Sequence, residues 1–137
     1  EIFDIPVNPF VYQKYLDACA EEGTLPIMAT GRLDKTWKGE RPEKRPDLTK
    51  PVLAILRSHN IDFGEHTYLC TGIGDTYRFK TKLYTRLIEK YSPKTFVMYD
   101  DRHAHLVKFI EEWAPEQECT IEIIDVTKSD KTPIIIN

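Results

Sequence analysis

Thr95-Phe96-Val97-Met98-Tyr99-Asp100-Asp101-Arg102 carries the clearest structural signal in the chain. Its first residues are mostly β-branched or aromatic, which suits a pleated, buried strand. The run then stops abruptly at two carboxylates. A short apolar run closed by charge is the pattern of a strand buried in a parallel sheet. Downstream, Leu106, Phe109, Ile110 and Trp113 mark one stripe of a helix, and Thr120-Ile121-Glu122-Ile123-Ile124-Asp125-Val126 reads as the next strand. Strand, helix, strand within about thirty residues predicts a right-handed βαβ unit.

The same alternation extends upstream. Asn8 is placed to cap a helix that has Pro9 at its first position, Val11, Tyr15, Ala18 and Cys19 on its apolar face, and a stop near Gly23. Leu25 to Thr30 reads as a buried strand ending at Gly31. Asp47 is expected to cap a second helix with Val52, Ile55, Leu56 and His59 on one face. Thr67-Tyr68-Leu69-Cys70 is the next strand, closed by Thr71-Gly72-Ile73-Gly74-Asp75. A helix from about Phe79 to Tyr91 follows, with Leu83, Leu87, Ile88 and Tyr91 facing inward, and Ile134-Ile135-Ile136 is a last short strand. The expected fold class is α/β: a three-layer sandwich around a mainly parallel, Rossmann-like sheet, in one domain over residues 1–137.

Composition narrows the function classes. The chain has 137 residues, 41% hydrophobic and 30% charged, enough for one real core. Nineteen Lys and Arg against twenty-two Asp and Glu give a net charge of -3, too balanced to argue by itself for nucleic acid or a membrane. No apolar run approaches the roughly 18 residues of a membrane span. The opening Glu1-Ile2-Phe3-Asp4 has neither a basic start nor an apolar stretch, so no secretory signal is read there. Cys19, Cys70 and Cys119 lie far apart in apolar surroundings, which predicts buried, reduced thiols and a cytoplasmic setting.

Open parallel sheets bind ligands beyond the carboxyl ends of their strands. Thr30-Gly31-Arg32 offers a hydroxyl, a flexible amide and a cation, a set suited to phosphate. Lys80 opens the third helix. Asp100 and Asp101 repel each other unless a divalent cation or nearby bases compensate. Each has a plainer reading: a polar turn, a surface lysine, a helix cap. Together, on successive βα units, they predict one phosphate and one Mg²⁺ held at the same sheet edge.

This arrangement resembles the haloacid dehalogenase-like (HAD) superfamily of phosphatases. Met28-Ala29-Thr30-Gly31-Arg32 is similar to its second motif, Lys80 to its third-motif lysine, and Asp100 with Asp101 to its metal-holding fourth-motif acids. Asp75-Thr76-Tyr77-Arg78-Phe79-Lys80-Thr81 and Tyr99-Asp100-Asp101-Arg102-His103-Ala104-His105 look like the TFKFKT and EDRxxH blocks of its Swiss Army Knife RNA repair-like branch. The resemblance covers roughly residues 2 to 126. It implies a HAD-like sheet and Mg²⁺-dependent hydrolysis of a phosphate monoester, with a nucleotide or nucleic-acid end as the substrate class. Thr30 and the Gly31 amide would bind phosphoryl oxygens, Lys80 would neutralise charge, Asp100 and Asp101 would hold Mg²⁺, Arg32 and Arg102 would tether a carboxylate or second phosphate, and His105 matches the block's histidine.

The family's first motif, a strand ending in DxD with the nucleophilic Asp, has no counterpart here. Pro6 stands where the second carboxylate should follow Asp4. The expectation is therefore a C-terminal part of a longer protein whose first strand and DxD segment precede Glu1. The alternative is a non-catalytic HAD-like domain that binds a phosphorylated ligand or a partner protein. A response-regulator-like receiver also combines acids, Thr and Lys, but its acid pair comes first in the chain. His103 and His105, two apart at a helix start, cannot form an i, i+4 metal pair, and His59 and His66 read as structural. The loop from Asp34 to Pro46 interleaves Lys35, Lys38, Arg41, Lys44 and Arg45 with Trp37, a composition that can hold single-stranded nucleic acid. Its three acids dilute it to +2, and a solvated loop is the plainer reading.

Overall fold

A computed structural model describes residues 8–33, 49–70 and 76–137. Contacts group the chain into two compact units, Glu1–Phe79 and Lys80–Asn137. The Trp37 loop, the Asp47 cap, Asp4 and the Thr71–Asp75 turn lie outside the described residues. Among the described residues, no helix is long and apolar enough to cross a membrane.

In the first unit, α1 spans Pro9–Ala20. The Asn8 side-chain oxygen accepts the Phe10 and Val11 N–H groups at 3.0 and 3.3 Å, satisfying two donors that a helix start otherwise leaves open. The helix ends three residues before Gly23, whose φ of +84° then provides the left-handed turn. Tyr15 ties α1 to the segment after α2 (Thr49–Ser58): its hydroxyl donates to the Asp62 carbonyl and accepts the Asp62 N–H, both at 3.1 Å, while its ring meets Phe63 edge-on. β1 is Met28–Leu33 and β2 is Thr67–Cys70, paired in parallel with Met28 opposite Thr67. The expected strand over Leu25–Thr30 is thus shifted toward the C-terminus. Pro26 has no N–H for a sheet ladder, so pairing begins only after it. His59 lies just past α2, where its N–H donates to the Leu56 carbonyl.

α3 (Thr76–Tyr91), which starts three residues earlier than expected, enters the second unit at Lys80 and leads into β3 (Thr95–Asp100). The crossover to β4 (Thr120–Asp125) begins with α4 (His103–Lys108). It continues as a π-helical turn over Phe109–Trp113, closed by the Ala114 N–H on the Phe109 carbonyl, and a short 3₁₀ turn, Ala114–Glu116. Pro115 cannot continue the helical hydrogen-bond pattern, which explains the stop. β3 and β4 are parallel in unbroken register, from Thr95 opposite Thr120 to Asp100 opposite Asp125. β5 (Ile134–Ile136) lies antiparallel on the outer edge of β4. Helices mixed with parallel strand pairs make the chain α/β. The antiparallel β5 makes this sheet mixed.

One face of the β3–β4–β5 sheet forms the core. Ile121, Ile123 and Phe109 are fully buried, and the buried Met98 stands opposite Ile123. Tyr84 from α3 joins Phe96, Phe109 and Trp113 in a ring cluster with centroids 5.0 to 6.0 Å apart, within the range of favourable aromatic pairs. Trp113 Nε1 donates to Thr85 Oγ1 at 3.0 Å, so the indole is buried with its polar atom satisfied. The inward stripe of α3 is Lys80, Leu83, Tyr84 and Leu87. Ile88 is only half-buried and Tyr91 is 43% exposed, so the expected inward positions Ile88 and Tyr91 are corrected to Lys80 and Tyr84. Cys70 and Cys119 are buried and reduced, but Cys19 is exposed.

Burial pushes the Tyr84 phenol well above its ordinary value of 10.0, and the Asp100 carboxylate adds to the rise. A group whose folded-state pKa is raised contributes its full stability below the unfolded value and loses it as pH climbs above that value. We expect thermal stability to fall above about pH 10, where an unfolded tyrosine ionises. Tyr84→Phe should make that fall shallower. Equal slopes for wild type and variant in melting scans across that range would refute the assignment.

Candidate functional site

β3 carries the centre of the site. Residues alternate between faces along a strand, so Asp100, in step with Met98 and Phe96, points to the covered face. There it meets Lys80 from the first turns of α3: Nζ donates to Asp100 Oδ2 at 3.0 Å. The two side chains are 11% and 2% exposed, so the ion pair is desolvated. Asp100 Oδ1 accepts the Asp101 and Arg102 N–H groups at 2.8 and 3.0 Å, which turns the chain out of the strand and into α4. One carboxylate therefore closes the strand, opens the next helix and anchors α3.

Asp101 and Arg102, following Asp100, are exposed at the carboxyl end of β3, as is His103. His105 is half-buried, and its N–H donates to the Arg102 carbonyl. Thr30, Gly31 and Arg32 were expected just beyond β1 but lie within it. The β1–β2 register breaks there: Thr30 faces Leu69, and Leu33 faces Cys70, so one step on β2 spans three on β1. A bulge at the carboxyl end of a strand re-aims backbone groups, and Gly31 is the residue best able to follow it.

Asp125 was not singled out from sequence. It ends β4 on the same rung as Asp100, and the Val126 N–H donates to the Asp100 carbonyl at 3.1 Å. Thr127 donates its hydroxyl (2.6 Å) and N–H (2.9 Å) to Asp125 Oδ1. These bonds hold the carboxyl below the usual carboxylate range, with Lys128 and His103 adding smaller attractions. The rule that ligands gather at strand carboxyl ends would have flagged Asp125 had the strand been ended one residue earlier. Tyr84, one turn after Lys80 and buried with it, was not among the inward positions expected on α3.

The donor set bears on the expected Mg²⁺. A carboxylate has about four lone-pair sites, and Asp100 uses three of them, two on amides and one on an ammonium. One site remains, on the Oδ2 that already accepts the Lys80 ammonium. Magnesium commonly takes one or two carboxylates and keeps several waters; of Asp100 and Asp101, Asp101 is the exposed one and Asp100 is held by Lys80 and two amides. They do not make a closed protein cage, and no group of three or more His, Cys, Asp or Glu able to hold a metal occurs among the described residues. No family model, curated protein or solved structure matches the chain.

Proposed function

We propose that the chain is a HAD-like domain serving Mg²⁺-dependent hydrolysis of a phosphate monoester, with a nucleotide or nucleic-acid end phosphate as substrate. The observation that carries this is the buried Lys80–Asp100 pair at the carboxyl end of β3. A desolvated lysine held in one place is a preorganised positive charge, and such charges act most strongly on a transferring phosphoryl group. The fold reading that accompanies it is a three-layer, Rossmann-like, mainly parallel sandwich, supported by the parallel β1–β2 and β3–β4 pairs.

In this reading Lys80 offsets phosphoryl charge while Asp100 fixes its ammonium. Thr30 and the Gly31 amide bind phosphoryl oxygens, and Arg32 and Arg102 tether a further anionic group. Asp101, with the remaining lone pair of Asp100, holds the cation, and His105 braces the start of α4. A divalent cation bound there supplies charge neutralisation. None of the described carboxylates is assigned as the attacking group.

Calorimetric titration of MgCl₂ tests the reading without requiring turnover. Wild type should bind in the millimolar range, and Asp101→Asn, an exposed change, should weaken binding at least about tenfold. Heats unaffected by Asp101→Asn, or absent from wild type, would sink it.

A further inference from the structure

We infer that the Asp125–Thr127 turn at the exit of β4 positions the site through the Asp100–Asp101 peptide, a role that rests on the function proposed for Lys80 and Asp101. That peptide group is held at both ends. Its carbonyl oxygen accepts the Val126 N–H at 3.1 Å, across the strand pair. Its N–H, on Asp101, donates to Asp100 Oδ1 at 2.8 Å. A peptide group is planar, so fixing both ends fixes the whole unit. The second bond orients the carboxylate whose Oδ2 accepts Lys80 Nζ at 3.0 Å. Tilting the plane would therefore move the Lys80 ammonium and the Cα that carries Asp101 together.

Val126 lies one residue beyond the last rung, Asp100 opposite Asp125, where the ladder no longer holds it. The turn around it does. Asp125 Oδ1 accepts the Thr127 hydroxyl at 2.6 Å and the Thr127 N–H at 2.9 Å, with Val126 between them. Aspartates commonly bond the backbone two residues on in this way. The connection to β5 contains a matched comparison. Asp130-Lys131-Thr132 repeats the turn, with Thr132 donating its hydroxyl at 2.6 Å and its N–H at 3.0 Å to Asp130 Oδ1. That second turn lies between the end of β4 and the start of β5 rather than at the last rung. A turn that only closes the connection gives Thr127 and Thr132 equal weight. A turn that holds Val126 against Asp100 gives the weight to Thr127.

The test compares Thr127→Val with Thr132→Val on the whole chain, with Thr127→Ser as the rescue. Both threonines are exposed, so neither change opens a cavity, and every carboxylate stays in place. The first readout is the Lys80 ammonium signal in nitrogen–proton NMR, assigned by its loss in Lys80→Arg. The second is the affinity for MgCl₂ by calorimetry. Thr127→Val should shift the Lys80 signal and weaken Mg²⁺ binding by about threefold to tenfold, somewhat less than the loss of a ligand's direct partner. Thr127→Ser and Thr132→Val should match wild type in both. A purely structural turn would lower the melting temperature of both valine variants and move neither readout. A wild-type Lys80 signal in Thr127→Val, or an equal shift in Thr132→Val, overturns the inference. If wild type binds no Mg²⁺, the function proposed above falls, and the Lys80 signal still decides the positioning role by the same comparison.

Discussion

Asp100→Ala is expected to destabilise the protein by about 3–5 kcal/mol, the usual cost of leaving one member of a buried ion pair without its partner. Lys80 would keep a buried ammonium with its acceptor gone, and the Asp101 and Arg102 amides would lose their cap at the entry to α4. A domain of ordinary stability has only about 5–15 kcal/mol in total, so the variant should melt far below wild type. Lys80→Met with Asp100→Asn removes the orphaned charge while keeping an acceptor for the two amides. It should recover much of the loss in urea unfolding, and a double variant no more stable than Asp100→Ala would contradict this account.

Phe109→Ala should cost a similar amount, about 3–5 kcal/mol, by emptying the centre of the aromatic cluster. Phe109 is fully buried, and its ring meets both Tyr84 and Trp113. It also supplies the carbonyl that closes the π-helical turn, so the backbone there has little freedom to collapse into the void. Phe109→Leu, which retains most of the volume, should lose well under half as much. Denaturant midpoints for the pair decide the matter: equal losses would mean that ring geometry outweighs volume.

Elements set by local pattern were legible in the sequence. β2 is found at Thr67–Cys70 as read, β3 within one residue, and Asn8 caps α1 with its own side chain. The misreadings have physical causes. Hydrophobicity alone placed the first strand across Pro26, where a missing N–H forbids pairing, and stopped it at Gly31, where the backbone bulges and continues. On α3, Lys80 stands at i−3 and i−4 from Leu83 and Tyr84, a core position by period but not by residue type. A lysine is buried there only because an aspartate twenty residues later arrives to meet it, and no local window contains that fact. The same holds for the site: Asp100 was visible as a strand-end acid, but its commitment to Lys80 and two amides was not.

The register of β3 and β4 has a consequence for how the chain is made. Every rung joins residues 25 apart, from Thr95 with Thr120 to Asp100 with Asp125. A ribosome adding about 5–20 residues per second leaves β3 waiting on the order of 1–5 s for its partner strand, while chain collapse takes microseconds. Through that interval Phe96 has only what has already been synthesised to pack against. Tyr84, on the preceding helix and 5.0 Å from the Phe96 ring in the folded chain, is synthesised before any rung can form, whereas the β4 side of the core is not.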